Sequence, residues 1–93
     1  IESSAKGLCD KFGIARYYTD ATQMLETEKP EVVSVCAPNM MHKKYVMSAL
    51  EHGANVLCEK PLALTLCDAE EMFLTAKKNS RLLMACQTLR FFP

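Results

Sequence analysis

The sequence predicts an α/β fold built on a parallel sheet. Three observations carry that reading. Short apolar runs at 32–37, 55–58 and 82–86 are rich in Val or Leu and lack clean alternation, as strands covered on both faces do. A helical pattern lies between each pair, giving β-α-β-α-β. Right-handed crossovers then set the strands parallel, with helices packed against them.

The elements follow in order. Over 3–12, Ala5, Leu8, Cys9 and Phe12 share one helical face, and Gly13 ends the helix. Residues 14–18 read as a short strand. Asp20 with Gln23 three positions on forms a capping box for a helix through Glu28. Lys29-Pro30-Glu31 leads into the run 32–37, and Pro38 breaks it. Asn39 is expected to cap a helix over 40–52, which Gly53 stops. After the strand 55–58, Thr65 with Asp68 resembles a further cap. Ala69, Met72, Phe73 and Ala76 then line one helical face at i, i+3, i+4 and i+7. The last strand is 82–86.

Composition narrows the function. The 93 residues make one domain or part of one; 49% are hydrophobic and 24% charged, as in a globular core with an ordered surface. The net charge is +0, which gives no electrostatic case for nucleic acid or an anionic membrane. No apolar run approaches the ~18 residues that a membrane span needs, and no signal peptide is expected. Five cysteines, Cys9, Cys36, Cys58, Cys67 and Cys86, contain no C-x-x-C pair. Three fall in the strand runs. Buried, reduced thiols and a cytoplasmic setting are expected. No metal site is expected. His42 and His52 lie ten residues apart in one predicted helix, and at ~1.5 Å per residue they stand roughly 15 Å apart, too far to share an ion.

Two strand runs end in polar groups. The first ends in Pro38-Asn39-Met40-Met41-His42 and the second in Glu59-Lys60-Pro61. In open α/β sheets, ligands bind outside the carboxyl ends of the strands. A lysine at a strand end, next to a proline that stops the strand, points to a site on that rim.

These residues, taken together, resemble the Gfo/Idh/MocA oxidoreductases, the glucose–fructose oxidoreductase and inositol dehydrogenase relatives. The match runs from Val32-Val33-Ser34-Val35-Cys36-Ala37-Pro38-Asn39 and His42 through Ala49-Leu50 and Gly53 to Val56-Leu57-Cys58-Glu59-Lys60-Pro61. It continues through Thr65, Ala69-Glu70-Glu71-Met72 and Arg90-Phe91-Phe92-Pro93. Tyr18, Asp20 and Leu25 fit upstream. P-N-x-x-H followed by E-K-P in this order and spacing is the specific part.

The resemblance implies a Rossmann-type fold and a nicotinamide cofactor, NAD or NADP. It implies that residues 1–93 are the later part of the NAD(P)-binding domain, without the first βαβ unit and its Gly-rich turn. The C-terminal substrate domain would lie outside the chain. Gly7, Gly13 and Gly53 are too dispersed to form the phosphate turn. In strand order 3-2-1-4-5-6 the chain would supply strands 3, 4, 5 and 6, and the inner edge of strand 4 would be bare. The whole protein would transfer a hydride between nicotinamide and an alcohol carbon of a sugar, cyclitol or related polyol, and would be a homo-oligomer. The alternative is a dinucleotide-binding regulator of the same fold without turnover.

The resemblance also assigns roles. Lys60 is the catalytic candidate, contacting the substrate hydroxyl and the nicotinamide ribose, where an ammonium favours a developing alkoxide. The base would be a histidine of the second domain. Glu59 would lie beside the nicotinamide. Ala37, Pro38, Asn39, His42 and Pro61 would line the cofactor's ribose–nicotinamide side. Each has a plainer reading: Asn39 as a helix cap, His42 as a packed histidine, Glu59 as an exposed ion-pair partner. Pro61 would fix the turn, and the Lys60–Pro61 bond is of the X-Pro type that tolerates either the cis or the trans form. Arg90 is a substrate-side candidate and Gln87 another residue facing the cleft, although Cys86-Gln87-Thr88-Leu89 departs from the family's form of that turn.

Overall fold

The structure, a computed structural model, describes all residues 1–93. The order is α1 (Glu2–Phe12), α2 (Ala21–Glu28), β1 (Val32–Val35), a 3-10 turn (Asn39–Met41), α3 (His42–Glu51), β2 (Asn55–Cys58), α4 (Leu66–Lys78), β3 (Leu83–Ala85) and a second 3-10 turn (Thr88–Phe91). The three strands form one parallel sheet in the order β1-β2-β3. Val33 pairs with Val56 and Val35 with Cys58, while Cys58 pairs in turn with Ala85. The predicted α/β class and parallel order are both present.

Local chemistry sets most boundaries. Gly13 closes α1 at φ 66, and its N–H bonds the Cys9 carbonyl. Asp20 Oδ1 accepts from the Gln23 N–H at 2.8 Å and opens α2. Thr65 Oγ1 accepts from the Asp68 N–H at 3.1 Å and opens α4. Gly53, at φ 84, lets its N–H turn back to the Leu50 carbonyl after α3. Side chains with β-carbons are disfavoured at such φ values. At the amino ends of the strands Asn55 acts as a stitch. Its Oδ1 accepts from the Leu82 N–H at 2.9 Å, and its backbone N–H donates to the Glu31 carbonyl at 2.9 Å.

The core sits between the sheet and α3 with α4. Val35, Val56 and Cys58 meet Val46, Ala49, Leu50, Met72 and Ala76, all buried. Leu25 of α2 joins them. Burying a side chain of this size contributes roughly 1.5–3 kcal/mol before entropy is counted.

Several expectations are corrected. The sheet is covered on one face only: Ser34 and Met84 on the other face are exposed and Leu57 is half-buried. Apolar composition alone does not say which faces find a partner. Residues 14–18 form no strand. A strand needs a neighbour for its ladder, and none lies beside this segment. Asn39 does not cap with its side chain; it begins a 3-10 turn, and its carbonyl receives the His42 N–H. The α-helix therefore starts three residues after Asn39. Phe73 lies at the border of the α4 apolar face and is 48% exposed. Of the five cysteines only Cys58 is buried, and Cys36 and Cys67 are exposed. All five are free thiols.

Candidate functional site

The carboxyl rim of the sheet brings the two polar motifs side by side. β1 ends at Val35, and Ala37, Pro38 and Asn39 turn away from it. β2 ends at Cys58, and Glu59, Lys60 and Pro61 follow beside that turn. The Glu59 N–H donates to the Val35 carbonyl at 3.0 Å, the last backbone bond between the two strand ends. On the other side the Cys86 N–H donates to the Cys58 carbonyl at 2.8 Å. The Lys60–Pro61 bond is cis, the form left open from the sequence.

Each side chain's setting follows from these turns. Glu59 is half-buried, and its carboxylate accepts from the Lys60 backbone N–H at 3.2 Å. Lys60 is exposed and makes no ion pair, so its ammonium stands free on the rim. Pro38 and Asn39, on the turn after β1, are also exposed, and Ala37 is half-buried. Arg90 lies on the 3-10 turn after β3 and is exposed, as is Gln87, which precedes that turn.

Of the two readings given for His42, the structure shows the packed histidine. The first residue of α3, it is 0% exposed, beneath the rim and not on it. Nδ1 lies 2.8 Å from the Pro61 carbonyl and Nε2 2.9 Å from the Ala37 carbonyl. A carbonyl oxygen only accepts, so a ring carrying both protons makes both bonds at once and a neutral ring makes one.

Two further features were not foreseen. Lys43 reaches from α3 to Asp68 at 2.7 Å and Glu71 at 2.6 Å on α4. The Asp68 and Glu71 carboxylates raise the lysine above its ordinary value, and the Lys43 ammonium, helped by the Thr65 hydroxyl, holds Asp68 below its own. No sequence spacing announces a pair 25 residues apart. Burial pushes the Cys58 thiol up to about 11, with the neighbouring Cys86, Cys36 and Glu59 adding to it. That thiol belongs to the core and not to the chemistry of the rim.

The rim carries an amide at Asn39, an ammonium at Lys60 and a carboxylate at Glu59, groups that can bond hydroxyls and an amide of a ligand. No glycine-rich turn adjoins them. Gly13 follows α1, and Gly53 lies before β2 at the opposite end of the sheet. A groove of about 360 Å³ along the free side of β1 is lined by Met24, Leu25, Val33, Val35, Tyr45 and others, nine of ten apolar. It includes Ala37 but neither Asn39 nor Lys60, and its lining suits packed protein better than a charged ligand.

Residues 1–87 match the model of the oxidoreductase family with an NAD-binding Rossmann fold, Gfo/Idh/MocA. The chain belongs to this family. It is 46% identical over 81 residues to D-glucoside 3-dehydrogenase of Escherichia coli (strain K12), covering 87% of the chain and 23% of that protein. It is 42% identical over 74 residues to 2,7-anhydro-N-acetylneuraminate hydratase of Mediterraneibacter gnavus, covering 80% of the chain and 20% of that protein. Among solved structures, an oxidoreductase from Agrobacterium radiobacter in complex with NAD+, L-tartaric acid and magnesium superposes with a TM-score of 0.91. It shares 29% identity, over 97% of this chain and 26% of that one. The chain thus spans about a quarter or less of the length of these relatives. The resemblance seen in the motifs is borne out, and with it the cofactor class, NAD or NADP.

Proposed function

We propose that residues 1–93 are the nicotinamide-side part of the dinucleotide-binding domain of an NAD(P)-dependent oxidoreductase. The substrate domain lies in the rest of the protein. The whole enzyme moves a hydride between nicotinamide and an alcohol carbon of a sugar, cyclitol or related polyol, and works as a homo-oligomer. The relative named for a D-glucoside supports the sugar class. The cofactor, when bound, supplies the hydride chemistry; the protein supplies orientation and electrostatics.

The observation that carries this reading is the free ammonium of Lys60 on the same carboxyl rim as Pro38 and Asn39, the two turns being joined at His42 through the Ala37 and Pro61 carbonyls. In the proposal Lys60 donates a hydrogen bond to the substrate hydroxyl, and its charge favours the alkoxide that develops there. Asn39 and Pro38 hold the ribose–nicotinamide side, with the Ala37 and Pro61 backbone beneath. Glu59 borders the nicotinamide, and Arg90 contributes to the substrate side. Proton removal falls to a base outside the chain.

The test is a screen of the full-length protein with NAD and NADP against sugars and cyclitols, read by nicotinamide absorbance. Turnover with at least one polyol is expected; cofactor binding without turnover on any substrate would instead support a regulator. The relative named as a hydratase favours a second reading, in which water is added to a sugar and nicotinamide is not consumed overall. Product analysis by mass separates the two, since hydration adds 18 Da where oxidation removes 2 Da.

A further inference from the structure

We propose that His42 is a positioning residue that fastens the Ala37 turn to the Lys60–Pro61 turn and so fixes where the Lys60 ammonium stands. The inference rests on the role proposed for Lys60.

The two turns leave different strands. Beyond the bond from the Glu59 N–H to the Val35 carbonyl, no backbone bond joins them. His42 takes over at that point. In the proposal the ring carries both protons, Nε2–H donating to the Ala37 carbonyl, two residues past the end of β1, and Nδ1–H to the Pro61 carbonyl, immediately after Lys60. The ring's own position is fixed. It sits at the start of α3 with no exposed surface, so its rotamer is held by packing. The bracket thus runs from the core, through one ring, to the backbone on either side of the proposed nicotinamide pocket. Asn55 does the equivalent work at the amino ends of the strands, bonding Glu31 before β1 and Leu82 before β3.

The same geometry takes His42 out of direct contact with the cofactor. Both nitrogens face the chain's own backbone, and the ring has no surface to offer a ligand. Its influence on the reaction passes through Lys60. A displacement of about 1 Å at a reacting group costs on the order of 10²-fold in rate, so a backbone bracket has leverage without touching substrate.

The test is a double-mutant cycle on the full-length enzyme, with His42→Leu, His42→Gln and Lys60→Ala. At saturating cofactor and substrate, His42→Leu should lower kcat on the order of 10²-fold. Cofactor affinity should change far less, by roughly threefold or under, because the ring does not touch the ligand. His42→Gln keeps an N–H donor for one of the two carbonyls and should recover part of the loss. In the Lys60→Ala background, His42→Leu should cost little more, since residues acting as a unit are strongly non-additive. Additive losses in the cycle would overturn the proposal, as would equal losses in the Gln and Leu variants. Unchanged turnover in Lys60→Ala alone would overturn the role of Lys60 itself, a separate outcome. If His42→Leu does not fold, His42→Gln and His42→Asn complete the same cycle.

Discussion

Cys58 offers a direct probe of how the rim is built, because it ends β2 immediately before Glu59 and Lys60. Its side chain is fully buried and its thiol is pushed up to about 11 from an ordinary 9.0. Only the thiolate reacts with an alkylating agent. At pH 8 a thiol at 11 is roughly 0.1% thiolate, against roughly 9% for one at 9.0, a difference on the order of 10²-fold before access is considered. Access adds to this, since a buried sulfur reacts only when the structure opens. The perturbation is iodoacetamide at pH 8 on the native protein, and the assay is site-resolved mass spectrometry. Cys36 and Cys67, both exposed, should be labelled first. Cys58 should be labelled at least 10²-fold more slowly, and at an ordinary rate once urea unfolds the chain. Native labelling of Cys58 at the rate of Cys67 would refute the reasoning. Side chains alternate along a strand, so it would mean that β2 is out of register and that Lys60 is not where the rim needs it.

Other predictions follow from the same geometry. Lys43→Met removes both ion pairs between α3 and α4; a small fall in Tm is expected, along with a weaker dependence of Tm on salt, both read in thermal melts. Asp68 is held below its ordinary 3.8, so its contribution is complete above pH 3.8 and is lost as pH falls through the lower folded value. An acid titration of Lys43→Met should lack that part of the loss seen in the parent. The 93-residue chain alone should be marginally stable or associate through the bare edge of β1, where Val32 is 62% exposed. A monomeric, cooperative thermal transition would contradict this.

How much was legible in the sequence depended on how local the physics is. Asp20, Thr65, Gly13 and Gly53 act within a few residues of themselves, and each does what its type predicts. Pro38 and Pro61 end their strands for the same reason. The runs around Val35, Val56 and Leu83 announced strands, since continuous apolar runs between helical patterns have few other uses. Non-local facts were hidden. Whether 14–18 pairs, which sheet face is covered and whether Phe73 is buried all depend on neighbours that no short window contains. Asn39 shows the limit of local reasoning: it has the right chemistry for a cap, but the turn after Pro38 winds as a 3-10 helix and uses its carbonyl instead. In the candidate site, the strand-end positions of Lys60, Glu59 and Asn39 were legible, while their roles rest on the family resemblance. His42 was left between a cofactor-side and a packed setting, because P-N-x-x-H does not reveal that the ring turns inward to two carbonyls.

The central claim is that Lys60 acts on the substrate at the nicotinamide end of the cofactor. It is tested most directly by comparing kcat of full-length Lys60→Ala with that of the parent at saturating NAD or NADP, with cofactor affinity measured alongside. Loss of one preorganised charge at a developing oxyanion should lower kcat by about 10²-fold or more, with a much smaller change in affinity. A kcat within twofold of the parent would contradict the claim.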